Sequence, residues 1–224
     1  MFRVNYGTLT INDGTVLCNA GNHGAAASNG AAIYISSKSE QLYGTVILNG
    51  GKITGNYART SGAVYLTGAY SRLIINGGEI SGNEAPLGAG IQDKNGGTVR
   101  LSGGTVKDNV CDAALNPYSA DICYGNALYN AETAHTLYLS PQFDLPGNAL
   151  ALEVDFFLTL EQSLATREPL TILVRGKAVD GTVAVKGEGY TLTEADMHKL
   201  ICANEGFTFA LDAQNNQIIL RQTA

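Results

Sequence analysis

The sequence predicts an all-β chain: a right-handed parallel β-helix of about four to five coils, closed by a small C-terminal α+β segment. Three observations point there. Glycine supplies 27 of 224 residues, about 12%, where roughly 7% is usual, which indicates many tight corners. Charged residues are only 15% while hydrophobic ones are 45%, which suits a real core and disfavours long solvated helices or a disordered chain. The third observation is an internal repeat.

Leu9-Thr10-Ile11-Asn12 recurs as Val46-Ile47-Leu48-Asn49, Leu73-Ile74-Ile75-Asn76, Val99-Arg100-Leu101-Ser102 and Leu137-Tyr138-Leu139-Ser140. The starts lie 37, 27, 26 and 38 residues apart, so the longer intervals carry loop insertions. Threonine precedes four of the five runs, at Thr8, Thr45, Thr98 and Thr136. Each run leads into a second short strand through a glycine corner: Asn49-Gly50-Gly51-Lys52-Ile53-Thr54-Gly55-Asn56 is matched by the stretches starting at Asn76 and Ser102 and, more loosely, by that starting at Asn12. A third strand follows, as in Ala32-Ile33-Tyr34-Ile35 and Ala63-Val64-Tyr65-Leu66.

Strands alternate with period two, so Leu9 and Ile11, or Val46 and Leu48, face one side and Thr10 or Arg100 the other. One such unit cannot bury its apolar side alone, whereas stacked units share a continuous core. Glycine pairs permit the left-handed backbone of a sharp corner. Asn19, Asn56, Asn83 and Asn109, each seven positions after the start of its unit, are expected to stack as a hydrogen-bonded ladder. A β-sandwich with regularly spaced strands is the ordinary alternative, but it does not make the corner residues return in phase.

The repeat loses phase after about Leu139, which divides the chain into repeats at 1–145 and a capping segment at 146–224. In the latter, 149–154, 170–174 and 181–185 read as strands. Thr193 reads as the N-cap of a short helix, with Glu194 and Asp196 in its first turn. Residues 207–211 and 217–220 read as a hairpin, and the segment is expected to blunt the exposed strand edges at one end of the stack. Only six residues precede the first repeat, so a longer parent chain or a partner over that end is expected.

Several chemistries lack support in the residues. Twenty acids against fourteen bases leave −6, which opposes electrostatic capture of nucleic acid. No apolar stretch has the length of a membrane span, so no membrane insertion is expected, and no secretory leader is visible at the N-terminus. Cys18, Cys111, Cys123 and Cys202 form no Cys-x-x-Cys pair; Cys111 and Cys123 are near enough in sequence to bridge, but buried thiols are the simpler reading. His23, His135 and His198 fall in different units and suggest neither a metal site nor a triad. No phosphate-binding glycine motif is present, and no metal or cofactor is expected.

The run Asn-Gly-Gly-x-Ile-x-Gly-Asn-x-Ala at 49–58 and 76–85 resembles repeats of large bacterial surface proteins of the pectate-lyase-like right-handed β-helix class. The tail at 181–220, centred on Gly-Tyr-Thr-Leu-Thr-Glu-Ala-Asp at 189–196, resembles a segment that follows such repeats. The resemblance implies an extracellular or cell-wall setting. It also implies a choice between adhesins and enzymes acting on polysaccharides, since both use the architecture.

A hydrolase would need two carboxylates across the scissile bond, and a lyase an acidic cluster for calcium plus a base. The expected outward files argue against both. The first is Thr10, Ile47, Ile74, Arg100 and Tyr138; the second is Thr15, Lys52, Glu79 and Thr105, whose Lys52–Glu79 neighbours read as a surface ion pair. Asp108 with Asp112, and Asp93 with Asp121, are the nearest approach to paired acids, and the first pair reads as a solvated corner. The threonine file is interrupted by Arg72 and lacks a second parallel file, which argues against an ice-binding surface.

The eleven tyrosines, with no tryptophan, are more suggestive. Tyr34 and Tyr65 occupy equivalent outward places, Tyr124 is expected near the same column, and Tyr70 lies in the adjoining loop. Rings with a polar handle suit a sugar face or a partner protein, although ordinary cross-strand packing gives the same pattern. The expectation is therefore a non-catalytic adhesive or scaffolding module with a glycan or host surface protein as partner. A polysaccharide lyase or glycoside hydrolase, and a plain structural spacer, are the alternatives.

Overall fold

The computed structural model describes residues 1–18, 32–58, 61–95, 97–111, 136–147 and 149–223, and at 122–124 the backbone alone. Among the described residues the chain is all-β apart from one four-residue helix, and its strands form parallel ladders. The first ladder contains Phe2–Val4, Ile33–Ser39, Val64–Thr67, Ile91–Asp93, Ile122–Tyr124, Ala149–Glu153, Leu170–Arg175 and Leu200–Cys202. The second runs through Gly7–Ile11, Leu42–Leu48, Arg72–Ile75, Thr98–Leu101, Thr136–Leu139, Leu158–Leu160 and Val183–Gly187. The third, of very short strands, is Val16–Leu17, Lys52–Thr54, Glu79–Ser81, Gly104–Lys107 and Phe143–Asp144. Five times in succession the chain visits first, second and third ladder in that order.

Register follows the repeat. Leu9, Val46, Leu73, Val99 and Leu137 stand opposite one another, as do Ile53, Ile80 and Val106. Apart from the partly buried Leu9 these columns are buried, and with Ile33, Val64, Ile91 and their neighbours they form one continuous apolar core. The glycine pairs at the three corners 50–51, 77–78 and 103–104 are dictated by proximity as well as by backbone angle. Gly78 has φ +84°, and a Cβ there would lie 2.8 Å from the Gly50 carbonyl carbon and oxygen. No other residue type meets both conditions.

In the first circuit the third-ladder register is displaced by one residue. Val16, not Thr15, pairs with Lys52, and Leu17 pairs with Ile53. The single Gly14 makes a wider corner here, closed by Thr15 N–H donating to the Asn12 carbonyl at 3.3 Å, and the Thr15 carbonyl takes the place held by Gly51 and Gly78 in later circuits. Asn19 lies outside the described residues.

Asn56, Asn83 and Asn109 form the expected ladder. Asn56 Nδ2 donates to Asn83 Oδ1 at 2.9 Å and Asn83 Nδ2 to Asn109 Oδ1 at 2.7 Å. All three are buried, and each also donates to a carbonyl of the preceding circuit, at Leu17, Ile53 and Ile80. A second file, which the spacing did not bring out, runs along the solvent side: Asn76 Nδ2 donates to Asn49 Oδ1 at 2.9 Å and Asn49 Nδ2 to Asn12 Oδ1 at 3.1 Å.

Parallel pairing does not stop where the sequence repeat does. Across the expected division at 145/146, Ile122 pairs with Leu150 and Leu137 with Leu158, and beyond it Ala149 pairs with Thr171, while the third ladder ends at Phe143–Asp144. The cues that carried the repeat, the Asn-Gly-Gly corner and third strand, are what disappear; two apolar strands per circuit remain. Beyond Val183–Gly187 the second ladder is closed by the antiparallel strands Gln217–Gln222 and Phe207–Asp212, the hairpin expected from the sequence. The helix Glu194–Met197 is capped by Thr193 in a reciprocal capping box with Asp196.

Asp196, fully buried, joins this cap to the stack. Its carboxylate accepts from the Thr193 N–H and Oγ, the Tyr190 hydroxyl, the Ser163 hydroxyl and the Leu164 N–H, all within 2.9 Å. Burial alone would raise its pKa, but these donors outweigh it and hold the carboxyl below its ordinary value. A depressed folded pKa favours the fold above the ordinary carboxylate range, and that contribution drains away as pH falls through the folded value. Asp196→Asn should therefore cost about 2–4 kcal/mol near neutrality and show a shallower loss of stability on acidification, read by urea unfolding across a pH series. The two asparagine files give a second expectation. Asn83→Ala, which strands buried partners, should cost about 2–3 kcal/mol, against about 0.5 kcal/mol for Asn76→Ala on the solvent side; thermal and urea unfolding of the two variants measure the difference.

Candidate functional site

Three outward files offer side chains to a partner. In the first ladder the file is Arg3, Tyr34, Tyr65, Gln92. The rings of Tyr34 and Tyr65 are 5.6 Å apart and tilted by 44°, and the Arg3 guanidinium sits 4.7 Å from the Tyr34 ring centre, a cation–π contact that closes the file at its open end. Tyr65, however, is only 5% exposed. Burial first, and then the adjacent Tyr34, push its phenol up to about 12; a hydrogen bond with Thr67 opposes them and Asp93 adds a smaller upward push.

The four tyrosines singled out from the sequence are therefore not one platform. Tyr34 and Tyr65 come together. Tyr70 is half-buried at a corner, where its backbone N–H donates to Ser37 Oγ at 3.0 Å. Tyr124 pairs in register with Asp93, not with Gln92, so it stands one position off the Tyr34–Tyr65 column. The Tyr124 side chain lies outside the described residues; where side chains are described, a one-residue offset in a strand belongs to the opposite face. The same rule corrects Asp93: it is buried, aligned with the inward Leu66, and its Oδ1 accepts from the Asn95 N–H at 3.0 Å. Asp112, Asp121, His23 and His135 lie outside the described residues. Asp108 sits exposed at a corner with φ 54°, as a solvated turn requires. Cys111 is buried, its sulfur accepting from the Ala89 N–H, and the Cys123 side chain lies outside the described residues.

In the third ladder Lys52, in register with Glu79, and Lys107, two positions along the next strand from the Thr105 that pairs with Glu79, flank Glu79 at 3.8 and 3.5 Å. A hydrogen bond from Ser81 and then the two ammonium groups hold the Glu79 carboxyl low. This is the surface ion pair anticipated for Lys52 and Glu79, extended by one lysine.

The second-ladder file brings together the richest polar group. Arg100 pairs in register with Tyr138, and its guanidinium stacks 3.9 Å from that ring centre. It also forms a two-pronged bond to Glu161, with Nη1 to Oε2 at 2.6 Å and Nη2 to Oε1 at 3.3 Å. The Tyr138 hydroxyl donates to Glu188 Oε2 at 3.0 Å. Gln162 Nε2 donates to Ser140 Oγ at 2.9 Å, and Ser140 Oγ to Gln142 Oε1. Arg100, Ser102, Tyr138, Ser140, Glu161 and Gln162 line a shallow cleft of about 120 Å³. Ligand pockets that engulf a small molecule are roughly 300–1,000 Å³, so this cleft can hold the edge of a ligand and not its whole.

The electrostatics of the cleft are set by its internal pairings. Arg100's bond holds the Glu161 carboxyl below its ordinary value, and burial, then the bond to Glu188, raises the Tyr138 phenol. A general acid for glycoside cleavage needs a raised carboxyl pKa, the opposite of what Arg100 imposes. Half of this group was legible: Arg100 and Tyr138 stand next to each other in the expected outward file. Glu161 and Glu188 were not, because they lie 61 and 50 residues away, past the loss of phase. Among the described residues no three His, Cys, Asp or Glu side chains group as metal ligands, and no helix is long and apolar enough to cross a membrane.

Compared with protein-family models, curated proteins and solved structures, the chain matches none.

The Tyr65 phenol provides a direct check on the packing of the first-ladder file. A raised pKa means the fold favours the neutral ring. Its contribution is intact below the ordinary value of 10.0 and is lost as pH rises toward about 12. Ultraviolet titration of phenolate should find a tyrosine titrating near 12 that is missing from Tyr65→Phe, and the variant should lose less stability over that alkaline interval.

Proposed function

We propose that this chain is a right-handed parallel β-helix module of a cell-surface or cell-wall protein, non-catalytic, serving adhesion or scaffolding, and that it meets a glycan or host surface protein along the outer face of its second ladder. Support for the helical winding comes from the constant order in which the chain visits its ladders and from the strong preference for right-handed crossovers between parallel strands. The surface setting rests on the resemblance of the Asn-Gly-Gly repeats and the 181–220 tail to bacterial surface proteins.

The observation that carries the reading is the Arg100–Tyr138 cleft. It combines an aromatic ring, a guanidinium, two carboxylates and amide and hydroxyl groups on one shallow surface, the mixture that recognises polyhydroxylated or peptide ligands. Both carboxylates are already engaged as acceptors, Glu161 by Arg100 and Glu188 by Tyr138, so neither stands ready to deliver a proton. Tyr34, half-buried beside Tyr65, is a secondary contact on the neighbouring face.

The test is immobilised binding of the 224-residue chain to a glycan array and a panel of host matrix proteins, with Tyr138→Ala alongside. Binding weakened about tenfold or more by that change is expected, with no reducing ends or unsaturated sugars released from a polysaccharide panel. Release of either product, lost in Glu161→Gln, would replace this reading with that of a hydrolase or lyase, and absence of any ligand would leave a spacer.

A further inference from the structure

The solvent-side asparagine file runs through two Asn-Gly pairs, Asn49–Gly50 and Asn76–Gly77, the pairs that lie wholly within the described residues. Both asparagines are exposed, and each pair is followed by a second glycine. In an Asn-Gly pair the glycine nitrogen has an easy approach to the side-chain amide before it, because no Cβ obstructs it. The fold does not treat the two pairs alike.

At Asn76 the nucleophile is tied down. The Gly77 N–H donates to the Leu48 carbonyl at 3.2 Å, a bond that any attack on the Asn76 amide must break. The space a Cβ at Gly77 would need holds the Asn49 carbonyl oxygen, which is no base. Asn76 Oδ1 accepts from no described residue.

At Asn49 each of these conditions is reversed. The Gly50 N–H has no acceptor among the described residues. The space a Cβ at Gly50 would need is filled by the Asp13 carboxylate, which puts a base beside that glycine. Asn49 Oδ1 accepts from Asn76 Nδ2 at 2.9 Å, and Asn49 Nδ2 donates to Asn12 Oδ1 at 3.1 Å.

We propose that Asn49 is a site of self-deamidation in the folded chain. The Gly50 nitrogen gives its proton to the Asp13 carboxylate and bonds to Asn49 Cγ. The negative charge that develops on Oδ1 is met by the hydrogen bond already in place from Asn76. The Cγ–Nδ2 bond then breaks, and Nδ2, receiving the proton back from Asp13, leaves as ammonia. Water opens the resulting succinimide at either carbonyl, so amide and water become acid and ammonia with no change of oxidation state. The product, aspartate or isoaspartate, still accepts from Asn76 but has no hydrogen to give Asn12, and it adds a negative charge beside Asp13. The solvent-side file is severed between its first and second circuits.

The test is incubation of the 224-residue chain at mildly alkaline pH, with conversion at each asparagine followed by peptide mass spectrometry. Asn49 should convert about tenfold or more faster than Asn76 in the folded protein, and the two should become alike in concentrated urea, where only their similar local sequences remain. Asp13→Asn and Asn76→Ala should each slow conversion at Asn49 by about threefold or more when folded and leave it unchanged in urea. Circular dichroism and thermal unfolding establish that both variants keep the stack. Equal rates at Asn49 and Asn76 in the folded chain, a preference for Asn49 that persists in urea, or faster conversion in either variant would each overturn the inference, the last because it would mean that loosening the corner and not its chemistry sets the rate. None of these outcomes depends on ligand binding at the Arg100–Tyr138 cleft.

Discussion

In-register stacking is the constraint on which everything else rests, and the buried amides of Asn56, Asn83 and Asn109 enforce it. Apolar columns alone would tolerate sliding, because Val, Ile and Leu pack against one another in many arrangements. A buried amide does not tolerate it: the Nδ2 of Asn56 and of Asn83 must find both the next Oδ1 and a carbonyl one circuit back, and that of Asn109 must find the Ile80 carbonyl one circuit back. A slip of one residue would bury unpaired donors and acceptors, and would turn Leu73 and Ile75 outward at the same moment. Polar specificity and apolar cohesion thus agree on one alignment.

That alignment determines what the surface can present. Outward positions become files whose members lie one strand spacing apart, about 4.8 Å, close enough for Arg100 to stack on Tyr138 and for Glu79 to meet Lys52, while Lys107 reaches Glu79 diagonally from the next strand. Opposite charges placed in such files neutralise each other. The Arg100–Tyr138 cleft differs by recruiting Glu161 and Glu188 from later circuits, where the third ladder has ended and the connections no longer follow the repeat. Chemical variety enters where regularity ends.

The same distinction explains what could be read from the sequence. The columns Leu9–Val46–Leu73–Val99–Leu137 were legible because period two and the returning corners leave little freedom. So were the Asn56–Asn83–Asn109 ladder, the Thr193 cap and the closing hairpin, each of which has local chemistry to announce it. Positions one residue off were not. Thr15 was expected opposite Lys52, where Val16 stands, because a four-residue corner with one glycine reads like the Asn-Gly-Gly corner until register is seen. Tyr124 likewise reads as aligned with Tyr65 when only its neighbourhood is known. Parallel pairing beyond residue 145 was illegible for a different reason: pairing through backbone groups needs no sequence signature, and Ala149–Glu153 and Leu170–Arg175 have only their apolar character in common.

The two asparagine files donate in opposite senses. The buried amides hand their hydrogens toward later circuits, from Asn56 to Asn83 to Asn109, and the solvent-side amides hand theirs toward earlier ones, from Asn76 to Asn49 to Asn12. Chains of amide hydrogen bonds polarise along their length, so two files with one sense would build a side-chain field along the stack axis. Counter-oriented files offset it. Lengthening such a stack therefore adds mutual polarisation within each file while leaving its tips close to electrically neutral, a condition that lets repeats multiply without charging the ends.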